Sequence, residues 1–138
     1  MTFSTSRRLG FGACDPSGIA YFPAYLDLLV GVLEEFFEHI GAPWPALLRD
    51  RSIGTPTAKL DLTFARPGFH GDKLEFELTV TRIGGSSLDL HHEVMANGEL
   101  LWSAEQTIVA TSIETHTSCA WPDDVRAALT RCLEKKDA

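Results

Sequence analysis

The longest organised run of apolar positions lies between Phe22 and Ile40. Within it Asp27, Gly31, Glu34, Glu35 and Glu38 fall at i, i+4, i+7, i+8 and i+11, one narrow polar stripe on an α-helix. The other positions are almost all apolar, from Tyr25, Leu26, Leu28 and Leu29 to Phe36, Phe37 and Ile40. So wide an apolar face predicts a helix over about residues 22–40 that is largely wrapped by other structure. Pro23 suits a first turn, where a missing N–H costs nothing. Gly41 followed by Pro43 is a stop signal. At about 1.5 Å per residue the helix would run about 27 Å, the length of a domain's central helix.

Past this helix and a connection over residues 42–54, the period changes to two. In residues 55–64, Ala58, Leu60, Leu62 and Phe64 share one face, and Lys59, Asp61 and Thr63 the other. Residues 73–83 alternate with Leu74, Phe76, Leu78 and Val80 on one side, and residues 87–96 and 99–113 supply two more strands. Residues 65–72 read as a turn, and Gly84-Gly85-Ser86 and Asn97-Gly98 as hairpin connections. Residues 3–11 are compatible with a first strand, and Pro122 to Lys136 with a short closing helix. A strand, a long helix and four strands linked in sequence by turns predict an antiparallel sheet under one helix, a two-layer α+β domain. No repeat or linker divides the chain, so residues 1–138 read as one domain, with a core over about 3–112 and an extension over 113–138.

At 44% apolar and 22% charged residues, the chain has the make-up of a folded globular protein rather than a disordered one. Its net charge of −7 argues against a nucleic-acid partner, which needs clustered Lys and Arg; Arg7-Arg8 is the largest such group. The apolar stretch from Ile19 to Leu33 is broken by Pro23, Asp27 and Gly31 and is too short to span a bilayer, so no membrane partner is expected. Cys14, Cys119 and Cys132 form neither a CxxC pair nor a zinc pattern, which fits a reduced compartment. The first residues lack the apolar core of a secretory signal, and the default reading is a cytoplasmic protein.

Asp15 lies in a group of turn formers, GACDPSG, just ahead of the long helix. The start of a helix offers unpaired N–H groups and partial positive charge, where the oxygen of a carbonyl under attack would be stabilised. Gly18 permits close backbone approach beside it. A carboxylate on one side and amide donors on the other can carry acyl transfer. The competing reading is an Asp that caps the turn or the helix, worth roughly 1 kcal/mol. His91-His92-Glu93 offers at most two ligands per strand face and reads as an ordinary strand with polar residues outward. Cys14 has no evident His partner and reads as a small buried residue.

The segment Asp15-Pro16-Ser17-Gly18-Ile19-Ala20-Tyr21-Phe22-Pro23-Ala24-Tyr25 resembles the signature of the 4-hydroxybenzoyl-CoA thioesterase family of hotdog-fold enzymes. That signature runs D-P-x-G-I, an aliphatic residue, two aromatic positions (the second also His) and P-N-Y, and leads into the hotdog helix. Ile53-Gly54-Thr55-Pro56 and Gly71-Asp72-Lys73-Leu74 also look like family features, and the likeness covers about Leu9 to Ser112. It implies a hotdog fold, a five-stranded antiparallel sheet wrapped around one long helix, with active sites at the interface of a homodimer or homotetramer. It implies hydrolysis of an acyl-CoA, with Asp15 as nucleophile or general base, the Phe22 backbone N–H polarising the carbonyl oxygen, and Gly18 in the same loop. Tyr21, Tyr25, Thr55 and Arg82 become candidates for substrate contact, and neither a cofactor nor a metal is implied.

Two departures narrow the carry-over. Ala24 stands where the signature has Asn, and the turn that is basic in the family's type member is Gly84-Gly85-Ser86-Ser87, with Arg82 the nearest cation. Phosphate contacts would then fall to groups such as Lys59, Arg66 or Lys73. Acyl-carrier protein is itself acidic and suits an acidic chain poorly, which keeps CoA ahead as the carrier. A non-catalytic hotdog domain that binds acyl-CoA or a protein partner is the alternative from another class. Hotdog dehydratases use a His–Asp pair that has no counterpart here.

Overall fold

The computed structural model describes residues 2–133. Its elements run β1 (Thr2–Arg8), α1 (Phe22–His39), α2 (Trp44–Arg51), β2 (Ile53–Gly54), β3 (Thr57–Phe64), β4 (Lys73–Ile83), β5 (Ser87–Ala96), β6 (Glu99–Val109), β7 (Thr111–Ser112) and α3 (Asp123–Cys132). The main sheet has five strands in the order β1-β4-β5-β6-β3, every pairing antiparallel, and β2 pairs with β7 beside it. α1 lies on one face of the main sheet, which is the expected hotdog architecture.

Alternation explains the sheet. On β4, Leu74, Phe76, Leu78 and Val80 turn inward and are buried, while Lys73, Glu75 and Glu77 turn out. α1 answers with Tyr25, Leu29, Val32, Leu33, Phe36 and Phe37, spaced along one helix face and all buried. Two core clusters result. Tyr25, Leu29 and Val32 pack with Leu74, Phe76, Val94 and Trp102, and Leu33, Phe36 and Phe37 pack with Leu78, Val80, Leu88 and Ile108. Truncating one of the Leu, Phe or Trp side chains among them to Ala would cost about 2–5 kcal/mol. The β5–β6 hairpin turns at Asn97 and Gly98, whose φ angles of 54° and 76° are those of the expected primed turn.

Several boundaries differ from the sequence reading. Residues 44–51 are a helix rather than part of a connection, because Pro45 sits in the first turn and Leu47 is buried. β3 does not follow β4 in a meander. Residues 65–72 carry the chain across the end of the sheet, so β3 lies at one edge beside β6 and β4 joins β1 and β5. A register shift between Thr57 and Lys59 takes Ala58 out of the expected alternation. The long final strand breaks at Ala110, and β7 leaves the main sheet for β2. α1 is not wrapped on all sides: Val30, 52% exposed, stands outward with Asp27, Glu34 and Glu38. The expected closing helix forms over Asp123–Cys132, buries Val125, Ala128 and Leu129, and is tied to α2 by Arg51 and Asp124 at 2.6 and 2.7 Å. Its reading to Lys136 extends beyond the described residues. Among the described residues, no helix is long and apolar enough to cross a membrane.

Candidate active site

Between β1 and α1 the chain makes a turn of 3-10 helix at Phe11–Ala13 and then reverses tightly. The Asp15 N–H donates to Ile19 O at 2.9 Å, and the Gly18 N–H donates to Asp15 O at 2.9 Å. Gly18 has φ +83°, a left-handed conformation that glycine adopts without strain. The loop is pinned from outside as well. Ala20 N–H reaches Gly68 O at 2.9 Å, His70 N–H reaches Gly18 O at 2.9 Å, and Tyr21 N–H reaches Ala13 O at 2.8 Å. The segment that crosses the end of the sheet is therefore the outer wall of the Asp15 loop.

Asp15 Oδ1 accepts the Ser17 N–H at 2.8 Å and the Ser17 hydroxyl. The Ser17 hydroxyl first, then its N–H, hold the carboxyl below its ordinary value of 3.8. Asp15 is thus ionised at neutral pH. The sequence reading passed over Ser17, although Asp-x-Ser in a turn is a signal for this contact.

α1 begins at Phe22, whose N–H has no acceptor within the helix. Pro23 offers no N–H, and Ala24 N–H closes back onto Tyr21 O at 2.8 Å. Among the described residues no backbone carbonyl takes up the Phe22 amide, which is left as an open donor at this terminus. Beside it lies a depression of about 320 Å³ lined by Ala20, Phe22, Tyr25, Phe64, Arg66 and Gly68 among others. The Phe22 and Phe64 rings meet edge-on with centroids 6.2 Å apart. Tyr25 is buried, which raises its pKa, and its hydroxyl lies against the Gly68 backbone. A Cβ on Gly68 would stand 2.4 Å from that hydroxyl, so the close approach of the crossing segment to α1 requires glycine.

The structure gathers Asp15, Gly18, Tyr21, Phe22 and Tyr25 at one end of the sheet. Tyr21 is exposed on the rim, and Tyr25 lies in the core beneath. Thr55 and Arg82 are not there. Phe64 touches Phe22, and Thr55 precedes the other end of β3, about 23 Å away along the strand. It lines a separate depression with Trp44, Leu48 and Ile53. Arg82 lies near the end of β4 across from Asp89. Of the other cations proposed for phosphate contact, Arg66 borders the Phe22 depression and meets Glu99 at 3.4 Å, while Lys59 and Lys73 lie exposed on β3 and β4.

The histidine pair also divides. His91 faces outward between Glu105 and Glu93, the latter at 3.2 Å. Burial alone would lower its pKa, but the two carboxylates outweigh it and raise it. His92 corrects the expectation of an outward polar strand, because it faces the core and bonds Gln106 at 2.8 Å. The Cys14 thiol is half-buried and donates to Gly10 O at 3.5 Å. Among the described residues, no three His, Cys, Asp or Glu side chains could hold a metal ion.

A long helix on a five-stranded antiparallel sheet, with a carboxylate loop at the helix start, defines a hotdog-fold protein. Residues 9–129 match the thioesterase-like superfamily, and the chain belongs to that family. It is 30% identical to the 4-hydroxybenzoyl-CoA thioesterase of a Pseudomonas species over 95 residues, 67% of each chain. It is 24% identical to the 1,4-dihydroxy-2-naphthoyl-CoA hydrolase of Crocosphaera subtropica over 118 residues, 86% of this chain and 81% of the relative. The fold superposes with a TM-score of 0.86 on an Asp-to-Asn mutant of 4-hydroxybenzoyl-CoA thioesterase complexed with 4-hydroxybenzoyl-CoA, at 23% identity over 93% of this chain and 98% of the other.

Proposed function

We propose that the protein hydrolyses an acyl- or aroyl-CoA thioester to the free acid and CoA, with Asp15 as nucleophile or general base. One observation carries this: a single hydrogen-bonded loop leads from the ionised Asp15 carboxylate to the start of α1 at Phe22, which lines an aromatic depression. The names of both relatives support the CoA thioester as the substrate class. The Phe22 N–H and the positive end of α1 polarise the carbonyl oxygen and stabilise the negative charge it gains. Asp15 then either attacks the carbonyl carbon, giving an anhydride that water cleaves, or takes a proton from the water that attacks. In both routes the C–S bond breaks and the CoA sulfur leaves, taking up a proton. Incubation with short, medium, long and aromatic acyl-CoAs tests the reading by release of free thiol. Release from at least one class is expected, and no release from any would leave a binding domain.

The site is proposed to form in a homodimer. Among the described residues β3 pairs only with β6, which leaves its other edge open, and its inward Leu60 and Leu62 are only half-buried while Phe64 is 50% exposed. A second copy laid antiparallel on that edge, Leu60 against Leu60, would set each Lys59 opposite the other copy's Asp61. Registers two residues to either side would set Lys59 against Lys59 or Asp61 against Asp61, like charges directly opposed. The favoured register also brings the Thr55 end of one copy against the Phe64 end of the other. That would give Thr55 a place near Asp15 that it lacks within one chain.

A further inference from the structure

We propose that Arg8, His70 and Lys73 form an anion site beside the Asp15 loop that holds an anionic group of the thioester substrate, a phosphate of CoA or a carboxylate on the acyl chain. The proposal rests on the hydrolase reading above. Arg8 and Lys73 stand directly opposite each other in the β1–β4 pairing. Two cations at that spacing destabilise a sheet unless an anion lies between them. The Arg8 Nη2 also stands 3.5 Å from His70 Nε2, a third basic group rather than a carboxylate. Among the described residues, no carboxylate lies within ion-pair distance of Arg8, and Lys73 has only Glu75 at 4.0 Å. The adjacent Asp72 carboxylate is taken up by the Phe69 N–H at 2.9 Å. In a chain with 19 Asp and Glu against 12 Lys and Arg, two cations and a histidine left together at one corner are out of keeping with the net charge of −7.

The corner is built into the catalytic end of the molecule. His70 donates its backbone N–H to Gly18 of the Asp15 loop, and its ring is braced edge-on by Phe11 with centroids 5.4 Å apart. The guanidinium is folded back toward the turn, with Nη1 4.0 Å from where a Cβ on Gly10 would lie. An arginine fork there presents parallel N–H donors to a phosphate or carboxylate, with Lys73 adding a point charge.

Calorimetric titration of the Asp15→Asn protein, which leaves thioesters unconsumed, tests the site with four ligands: CoA, pantetheine, butyryl-pantetheine and glutaryl-pantetheine. Arg8→Ala is added to that background, with Arg8→Lys to restore charge and Arg49→Ala as a remote control. Arg8 is exposed, so the fold and its melting temperature should hold. If the anion is a phosphate, Arg8→Ala weakens CoA about tenfold and leaves pantetheine unmoved. If it is a carboxylate, Arg8→Ala weakens glutaryl-pantetheine about tenfold and leaves butyryl-pantetheine unmoved. In either case Arg8→Lys recovers part of the loss. All four affinities unmoved by Arg8→Ala, or Arg49→Ala acting as strongly, overturns the site. Thiol release by the unaltered protein is measured separately. Its absence would refute the hydrolase reading while Arg8-dependent binding stood, and normal release without Arg8-dependent binding would do the reverse.

Discussion

His92 shows how far a single side chain can depart from its appearance in the sequence. It is 1% exposed on the helix side of β5, where it separates the two core clusters. Gln106 Nε2 donates to Thr57 Oγ1 at 2.9 Å, so Gln106 Oε1 is left to accept, and His92 must carry its proton on Nε2. Burial lowers its pKa to about 4 from an ordinary 6.5, against the opposing bond to Gln106. The unfolded chain thus binds a proton here that the folded chain refuses, and stability falls as pH drops from about 6.5 to about 4. Between pH 7 and pH 5 this one group removes about 2 kcal/mol. His91 has the opposite sign, since its raised pKa gives stability that is lost as pH rises through that pKa. We predict that His92→Leu lowers stability at pH 7, because Gln106 loses its partner, and flattens the decline from pH 7 to pH 5. Urea unfolding at the two pH values checks this, and an equally steep decline in the variant would count against it. The inward polar pair was illegible in the sequence because Gln106 lies fourteen residues on, and only the β5–β6 register, which sets Gln106 opposite Leu90 and Ala104 opposite His92, brings the two side chains together on the diagonal.

At the scale of elements, long periodic segments were legible and short ones were not. α1 spans Phe22–His39 where its polar stripe placed it, because six buried side chains on one face outweigh local detail. α2 was missed because residues 42–54 read as a connection after the Gly41 and Pro43 stop signal, although proline is tolerated in a first helical turn. The crossing at residues 65–72 was read as a turn because Pro67, Gly68, Gly71 and Asp72 signal a loop without saying where it goes. What fixes its course is the fit of Gly68 under Tyr25. Gly68→Ala places a Cβ 2.4 Å from the Tyr25 hydroxyl and 3.3 Å from Leu9 and Leu101. We predict a loss of about 1–3 kcal/mol from this overpacking. Most of it should return in the Gly68→Ala, Tyr25→Phe double variant, which removes the clashing atom. Denaturant midpoints of the two singles and the double measure the coupling, and strict additivity would exclude this contact as the cause.

For the whole molecule, sequence and family likeness together made the hotdog architecture and the Asp15 loop legible. They could not show that Thr55 and Arg82 lie far from Asp15 within one chain, because strand order is a property of the closed sheet. The open edge of β3 leads to a prediction at this scale. Lys59→Glu should weaken the proposed dimer by placing a carboxylate opposite the other copy's Asp61, and adding Asp61→Lys should restore it. Light scattering across a dilution series reads this. A monomer in the unaltered protein, or no difference among the three forms, would remove the edge pairing. In the proposed mechanism hydrolysis turns on the two oxygens of the Asp15 carboxylate. Asp15→Asn keeps the size of the side chain and the Ser17 contacts to Oδ1, but removes the charge and basicity. Steady-state thiol release from the best acyl-CoA of the panel, compared between the unaltered protein and the Asp15→Asn variant, is the most direct test. The account predicts a kcat at least about a hundredfold lower with substrate binding retained. A folded Asp15→Asn protein that turns over substrate at near the original rate would contradict it and return Asp15 to the role of a turn residue.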